Sequence, residues 1–346
     1  MNYDYILKNL RLISNEQKPE QDITEFLQKH NCSYLLGKLG YTDKKLEALN
    51  RFCVNERYRT CKCIFEQLEA NDIPYAVIKG ATLSLAAYGD AYLRQSGDID
   101  ILIDRNDIDI VAKIMSENDF IQGRINGNII EPFTRTEKIF HLSTTHQTAP
   151  YVKSTQNKLC PFVMVDINTD IFWGESKIKS DLRDFLSHTS NNDICGIKFS
   201  ALKAEAAFVA MCLHHYKDFN SIYLLYERGL NFNHFCDIYY FVKHSDPNKD
   251  ILIKLCENLK IKPFIYYCLY YTNLIFDDLL LDKYMSALYT PEADVIIDTY
   301  GLELNERRKW NMDFFSRLFS LDFHDYFESI LSPKDLSKIH LNQTMM

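Results

Sequence analysis

The segment Arg94-Gln95-Ser96-Gly97-Asp98-Ile99-Asp100-Ile101-Leu102-Ile103 constrains this chain more than any other. Its isoleucines and leucine have the pattern of a buried strand, yet it carries two carboxylates two positions apart. Side chains alternate faces along a strand, so Asp98 and Asp100 share one face while Ile99, Ile101 and Ile103 share the other. Two like charges held side by side repel each other. A cation between them removes that repulsion, and hard divalent ions such as Mg2+ take carboxylate oxygen. The acidic pair points to a metal site for phosphate chemistry.

The 346 residues are enough for a sizeable core and two packed subdomains. Gly (11) and Pro (9) are scarce, which argues against a turn-rich sandwich or barrel and for a helix-rich chain. Residues 1–71 are expected to be an N-terminal helical segment. Its long helix, Thr42 to Glu69, carries Leu46, Leu49, Phe52, Cys53, Cys63, Ile64 and Leu68 near helical period. Asn71-Asp72-Ile73-Pro74 breaks that helix. Tyr75 to Ile78 is then a short strand, Ala81 to Tyr88 a helix opened by Gly80, and Gly89 to Gly97 a loop.

The acidic strand is expected over Asp98 to Asp104, with Asp104 ending it and beginning a turn. Asn106 is expected to cap the next helix, Asp107 to Glu117. Further along, Glu137 to Ser143 suggests a strand and Gln147 to Leu159 a loop or hairpin. Pro161 to Asn168 is a strand with Phe162, Met164, Asp166 and Asn168 on one face. From Leu202 the chain is helical, with turns at Gly229 and Pro263. The expected class is α+β. A small mixed-sheet core (72–200) is flanked by N-terminal helices and an α-helical C-terminal region (201–346).

Lys79-Gly80, the helix after it, Arg94 and Gly97-Asp98-Ile99-Asp100-Ile101-Leu102-Ile103 form a recognisable set. With the third acidic strand, Val163-Met164-Val165-Asp166-Ile167-Asn168, they resemble the bacterial uncharacterised nucleotidyltransferase family of the polymerase β-like superfamily. The resemblance covers about 45 to 245. It implies Mg2+-dependent (or Mn2+-dependent) transfer of a nucleoside monophosphate from an NTP, with ATP the expected co-substrate. The acceptor would be an unidentified hydroxyl or phosphate on a small molecule, peptide or protein.

Under this resemblance Asp98, Asp100 and Asp166 are the catalytic metal ligands. Lys79, Gly80, Thr82, Arg94, Ser96 and Gly97 are the nucleotide-binding set. Gly80 has no Cβ and lets the backbone approach a triphosphate, and the helix beginning at Ala81 turns free N–H groups the same way. The superfamily's commoner Gly-Ser is here Gly80-Ala81, eighteen residues before Asp98, which leaves Thr82 and Ser96 as the substitute hydroxyls. Leu213-His214-His215 and Phe235-Cys236-Asp237 also have counterparts in that family, making His214 and His215 candidates for the acceptor side. His141 is a further candidate.

Blander readings stand beside these. Asp107-Ile108-Asp109 has the same Asp-X-Asp spacing but begins a helix, where the dipole accounts for it. Lys79 could pair structurally with a carboxylate, and Arg94 could orient the acidic loop. At least one of His214 and His215 is expected to be a packing histidine, Asp237 a structural hydrogen-bonder and Asn168 a strand-end residue. Tyr223, Tyr226, Tyr239, Tyr240 and Phe241 have the composition of core.

Thirty-nine basic against 47 acidic residues give a net charge of -8. That field disfavours polymeric nucleic acid, whose binding needs many phosphates neutralised, but suits a nucleotide screened by metal. No secretion signal or bilayer-length apolar run is evident, so the expected location is cytoplasmic, with no membrane partner. The ten cysteines are scattered, Cys61-Lys62-Cys63 is not a zinc spacing, and reduced thiols are expected. Oligomeric state is left open. Two alternatives remain: a catalytically silent nucleotide-binding or toxin–antitoxin-type partner-binding module, and kinase-like γ-phosphoryl transfer on the same fold.

Overall fold

The computed structural model describes residues 3–37, 43–174, 176, 178, 182–303, 306–320 and 322–345. Helices α1 (Tyr3–Ser14), α2 (Thr24–Lys29) and α3 (Tyr34–Gly37) open the chain. The long α4 (Lys44–Ala70) leads to β1 (Tyr75–Val77), α5 (Ala81–Tyr88), β2 (Ile99–Ile103) and α6 (Ile108–Glu117). Next come β3 (Ile121–Asn126), β4 (Ile129–Pro132), α7 (Arg135–Thr145), β5 (Tyr151–Ser154) and β6 (Phe162–Asn168). Helix α8 (Leu182–Leu186) and the hairpin β7 (Thr189–Ile194) and β8 (Ile197–Leu202) precede α9 (Ala204–Asn220). After it lie α10 (Ile222–Arg228), α11 (Phe232–Ser245), α12 (Lys249–Asn258), α13 (Lys262–Phe276) and further helices between 282 and 345. The class is α+β, as expected. Thr42, the expected start of α4, lies outside the described residues.

The chain divides into two compact units, Lys44–Met211 and Met1–Asp43 with Cys212–Met346. The first holds one mixed sheet in the order β4-β3-β5-β6-β2-β1-β8-β7. Strand β2 lies at its middle, antiparallel to β1 and parallel to β6. On α4, Val54, Tyr58, Cys61, Ile64, Phe65 and Leu68 form a buried stripe, joined by Val111, Ile114 and Met115 of α6. They cluster with Ile99, Ile101 and Ile103 of β2 and Val163, Val165 and Ile167 of β6. Each such side chain contributes about 1.5–3 kcal/mol when fully buried. Covering one face of β2 and β6 with apolar residues leaves the acidic side chains to the opposite face.

Four local expectations change. Asp98 lies just outside β2, and Asp104 follows its last residue. Asn106 does not cap α6: Asp104, extended (φ -66°, ψ 139°), caps the 3-10 turn Arg105–Asp107 that leads into it, its Oδ1 accepting from Asn106 N at 2.8 Å. The expected strand Glu137–Ser143 is helix α7, because Thr134 and Glu137 close a capping box. Thr134 Oγ1 accepts from Glu137 N (3.3 Å) while Glu137 Oε2 accepts from Thr134 N (2.7 Å). Finally, β3, β4, β7 and β8 are strands that the sequence analysis did not anticipate. The last two turn at Cys195-Gly196, both with positive φ (51° and 81°), the geometry that matches strand twist in a two-residue hairpin.

In the other unit, α1 buries Ile6, Leu7, Leu10 and Ile13. Helices α11 and α13 carry an aromatic core, with Tyr239 stacked on Phe276 (4.1 Å between ring centroids). Gly229 ends α10 and Pro263 lies in the first turn of α13, both at expected turns. All ten cysteines are free thiols. Among the described residues no helix is long and apolar enough to cross a membrane.

Candidate functional site

The carboxylates assemble on the β2–β6 pair of the Lys44–Met211 unit. Parallel pairing sets Ile99 against Val165, Asp100 against Asp166 and Ile101 against Ile167. Equal parity then puts Asp98, Asp100, Asp166 and Asn168 on the face away from the apolar cluster. Asp100 is only 3% exposed, whereas Asp98 and Asp166 are half-buried. A carboxylate so deeply buried needs partners. It has two: Lys79 Nζ donates to Asp100 Oδ1 at 2.8 Å, and Asn168 Nδ2 donates to the same oxygen at 3.2 Å.

Lys79 directly follows the strand region of β1, whose continuation is held by Ile78 N donating to Asp100 O (3.1 Å). Burial pulls the Lys79 ammonium's pKa down, but the charges of Asp100, Asp98 and Asp166 outweigh it, and the net shift is upward. Asp98 moves up as well, first through burial and then through the Asp100 charge, with Lys79 and Arg57 opposing. The site therefore holds a surplus of negative charge that one lysine only partly answers.

Gly80 follows at φ 63°, ψ -126°, as the N-cap of α5. A Cβ there would stand 2.9 Å from Ser96 Oγ and 3.4 Å from Asp98 O. Only glycine satisfies both the dihedrals and the close approach. The Ser96 hydroxyl donates to Asp98 O at 3.0 Å, tying the end of the loop to the start of β2. Thr82 Oγ1 donates back to Lys79 O (2.8 Å), so its hydroxyl is a local cap in this structure. Ser84 Oγ donates to Asp90 O (2.6 Å) and accepts from Arg94 N (3.0 Å), fixing the loop between α5 and β2. Arg94 is half-buried there. Gly97 is exposed, and a Cβ on it would meet nothing within 4 Å.

Lys79, Gly80, Ser96, Asp98, Asp100 and Asp166 are thus gathered by β1, the α5 turn, β2 and β6. His214 and His215 belong to the other unit. His214 Nε2 and His234 Nε2 lie 3.6 and 3.7 Å from Asp218 Oδ2, and His215 Nε2 lies 3.5 Å from the fully buried Asp237. His215 is 1% exposed and stacks on His234 at 4.2 Å. His141 is buried on α7 beside Phe133, and burial lowers its pKa.

Sequence reasoning undervalued Asn168. Its amide bridges Asp100 and in turn accepts from Gln147 Nε2 at 2.6 Å through Oδ1. The signal was its shared parity with Asp166.

Carboxylate oxygens of the kind that hard divalent cations such as Mg2+ prefer are what this face offers. All three acidic residues offer hard oxygen, and the Lys79 ammonium on Asp100 is a cation already standing in. Among the described residues, no three His, Cys, Asp or Glu side chains stand in a ready-made ligand set. The donor chemistry fits.

Two neighbouring acidic strands beside a Lys-Gly turn that opens a helix resemble the core of a nucleotidyltransferase. The family described as uncharacterised nucleotidyltransferase matches residues 5–277, and the chain belongs to it. No curated protein and no solved structure matches the chain.

Proposed function

We propose that the protein transfers a nucleoside monophosphate from an NTP, with ATP the expected donor, to a hydroxyl or phosphate on a small molecule, peptide or protein. The observation that carries this reading is the Asp100–Asp166 register on adjacent parallel strands, with Asp98 two residues before Asp100. Asp98, Asp100 and Asp166 would hold Mg2+ (or Mn2+), which supplies neutralisation of triphosphate charge and a lowered pKa for an acceptor hydroxyl.

The chain's own groups do the remaining work. The Gly80 turn brings backbone close to the donor's phosphates, and first-turn N–H groups of α5 have no acceptor within their helix. Lys79 is charged and adjacent, able to exchange its contact with Asp100 for a phosphate oxygen. Ser96 holds the Gly80 and Asp98 segments in register. In the reaction, an acceptor oxygen bonds to the α-phosphorus, the bond to the β-phosphate oxygen breaks, and pyrophosphate leaves. The acceptor's proton passes to solvent or to a basic group of the acceptor.

The test is incubation with α- and γ-labelled NTPs plus Mg2+, comparing the protein with Asp98→Asn/Asp100→Asn. Transfer of the α-label, lost in the double variant, is the expected result. Transfer of the γ-label instead would mean phosphoryl transfer. Absence of metal-dependent nucleotide binding in both proteins would sink the reading and leave a partner-binding module.

A further inference from the structure

Asn168 lies on β6 with the parity of Asp166 and is 5% exposed, and each polar atom of its side chain is engaged. Its Nδ2 donates to Asp100 Oδ1 at 3.2 Å and to Asp166 O at 3.3 Å, while its Oδ1 accepts from Gln147 Nε2 at 2.6 Å. One amide therefore joins a carboxylate on β2, the main chain of β6 and the segment that follows α7. Gln147 is itself held in place. Its N donates to Thr145 Oγ1 at 3.2 Å, and it forms an isolated bridge with Asn168. The chain around it is fastened to β6: Thr148 N donates to Ile167 O (3.0 Å) and Thr169 N to His146 O (2.8 Å). His146, in the left-handed conformation at the end of α7 (φ 56°), turns the chain into that bridge.

The direction of these hydrogen bonds is fixed by chemistry. An ionised carboxylate only accepts, so the group on Asp100 Oδ1 must be the NH2 end of Asn168. The amide oxygen of Asn168 then needs a donor, and the NH2 end of Gln147 supplies it. A carboxylate at 168 would have no proton to give, and an apolar side chain would satisfy neither neighbour. With its oxygen turned to Gln147, Asn168 does not offer it to a metal. Both donors on the Asp100 carboxylate among the described residues, Lys79 Nζ and Asn168 Nδ2, end on Oδ1, which leaves Oδ2 for an ion. Of these two donors, Lys79 is the one that can swing away. Asn168 stays, because its amide is also bound to Asp166 O and Gln147.

We propose that Asn168 is a positioning residue of the metal site and that Gln147 acts through it. The amide pair fixes the plane of the Asp100 carboxylate and its spacing from Asp166, and keeps both when Lys79 gives way to the ion. The proposal rests on the nucleotidyl-transfer reading and adds to it two residues that touch neither the metal nor the nucleotide.

The test is Mn2+ binding to the whole protein, followed by the electron paramagnetic resonance signal of free Mn2+, with a metal-free melting temperature for each variant. Asp100→Asn locates the binding and should remove the tight site. Asn168→Leu is expected to weaken Mn2+ binding by about 10- to 100-fold, the usual effect of losing a hydrogen-bond partner of a metal ligand. Gln147→Met should weaken it by about 3- to 10-fold, the worth of one neutral hydrogen bond. The double variant Asn168→Leu/Gln147→Met should bind Mn2+ no more weakly than Asn168→Leu, because Gln147 reaches Asp100 only through Asn168. A merely structural role would lower melting temperatures and leave Mn2+ affinity unchanged, and that result in either single variant would overturn the proposal. Losses that add in the double variant would overturn it as well. If Asn168→Leu does not fold, Gln147→Met decides on the same terms. Failure of the unsubstituted protein to bind Mn2+, or undiminished binding by Asp100→Asn, would overturn the donor-site reading and the proposal with it.

Discussion

The Lys79 ammonium sits 2.8 Å from Asp100 Oδ1, with the two side chains 20% and 5% exposed. The most buried carboxylate of the acidic face is thus paired with a cation of the chain itself. Asn168 Nδ2 reaches the same oxygen at 3.2 Å. A divalent ion arriving at Asp100 would take over what Lys79 now does and release the lysine toward the incoming phosphates. On the proposed function, folding and ligand binding would compete for one side chain.

Replacing Lys79 with Met leaves Asp100 buried beside two further acids. Breaking a buried pair by removing one partner costs about 3–5 kcal/mol. The partial exposure of Lys79 and the Asn168 contact bring the expected cost below that range, to about 2–3 kcal/mol. Urea unfolding of Lys79→Met without divalent ions should show that loss, and millimolar Mn2+ should recover part of it. Unchanged stability without metal would mean the pair contributes nothing.

Asp98 behaves in the opposite way. Its pKa is raised above the ordinary 3.8, first by burial and then by Asp100. A raised carboxyl contributes stability that is present below 3.8 and lost as pH rises through the folded value. At neutral pH the metal-free protein carries this repulsion, so Asp98→Asn should raise its stability by up to about 1 kcal/mol. The same variant should lose the melting-temperature increase that Mg2+ gives the unsubstituted protein. Thermal melts with and without Mg2+, at pH 7 and pH 5, measure both effects, and the Mg2+ increment should shrink at the lower pH.

Gly80→Ala tests the turn. The dihedrals at this position and the 2.9 Å approach to Ser96 Oγ leave no room for a methyl group. Strain of this kind costs about 1–3 kcal/mol. Because Ser96 holds Asp98 O, relief by moving Ser96 would also displace the start of β2. The expected result is a lower melting temperature together with weaker binding of metal-nucleotide. Ser96→Ala, by removing only the hydroxyl, should ease the clash in a Gly80→Ala/Ser96→Ala double variant.

A buried histidine in the unit formed by Met1–Asp43 and Cys212–Met346 is expected to make stability sensitive to acid. His30 is 7% exposed, between Phe26 (4.5 Å) and Phe232 (6.0 Å), and its Nδ1 accepts from Phe232 N at 3.5 Å. Burial and then the Lys29 charge lower its pKa from 6.5 to about 4. The unfolded chain therefore binds a proton that the folded one refuses between those values. Stability should fall as pH drops from 6.5 toward 4, by about 3 kcal/mol in all from this group. Urea unfolding of the protein and of His30→Leu at pH 7 and pH 4.5 checks the sign: the variant's curve should be flatter over that window.

Much of the acidic face was legible because its signals are local. A period of two puts Asp98 with Asp100 and Asp166 with Asn168, whatever the strands pack against. Gly80 at a helix start, Asn71 to Pro74 as a break and Asp104 at a strand end follow from backbone chemistry within a few residues. The Thr134-Arg135-Thr136-Glu137 capping box was equally local and would have identified α7. The element expected there was a strand.

Other features had no local signature. Thr189-Ser190-Asn191-Asn192-Asp193 is polar throughout and forms β7 only because β8 offers it a ladder of main-chain partners. Strands β3 and β4 are similarly exposed along most of their length.

By itself, then, the sequence determined which residues share a face and where chain direction changes, because those depend on dihedrals and short-range hydrogen bonds. Tertiary structure decided which faces meet. It alone set β6 beside β2 so that Asp166 stands opposite Asp100, and brought Lys79 Nζ onto the Asp100 carboxylate. It also grouped Met1–Asp43 with the C-terminal helices. The physical reason is common to all three. Strand neighbours, buried ion pairs and compact units are chosen by what apolar surface and main-chain hydrogen bonds remain unsatisfied elsewhere in the chain. No short stretch of sequence carries that information.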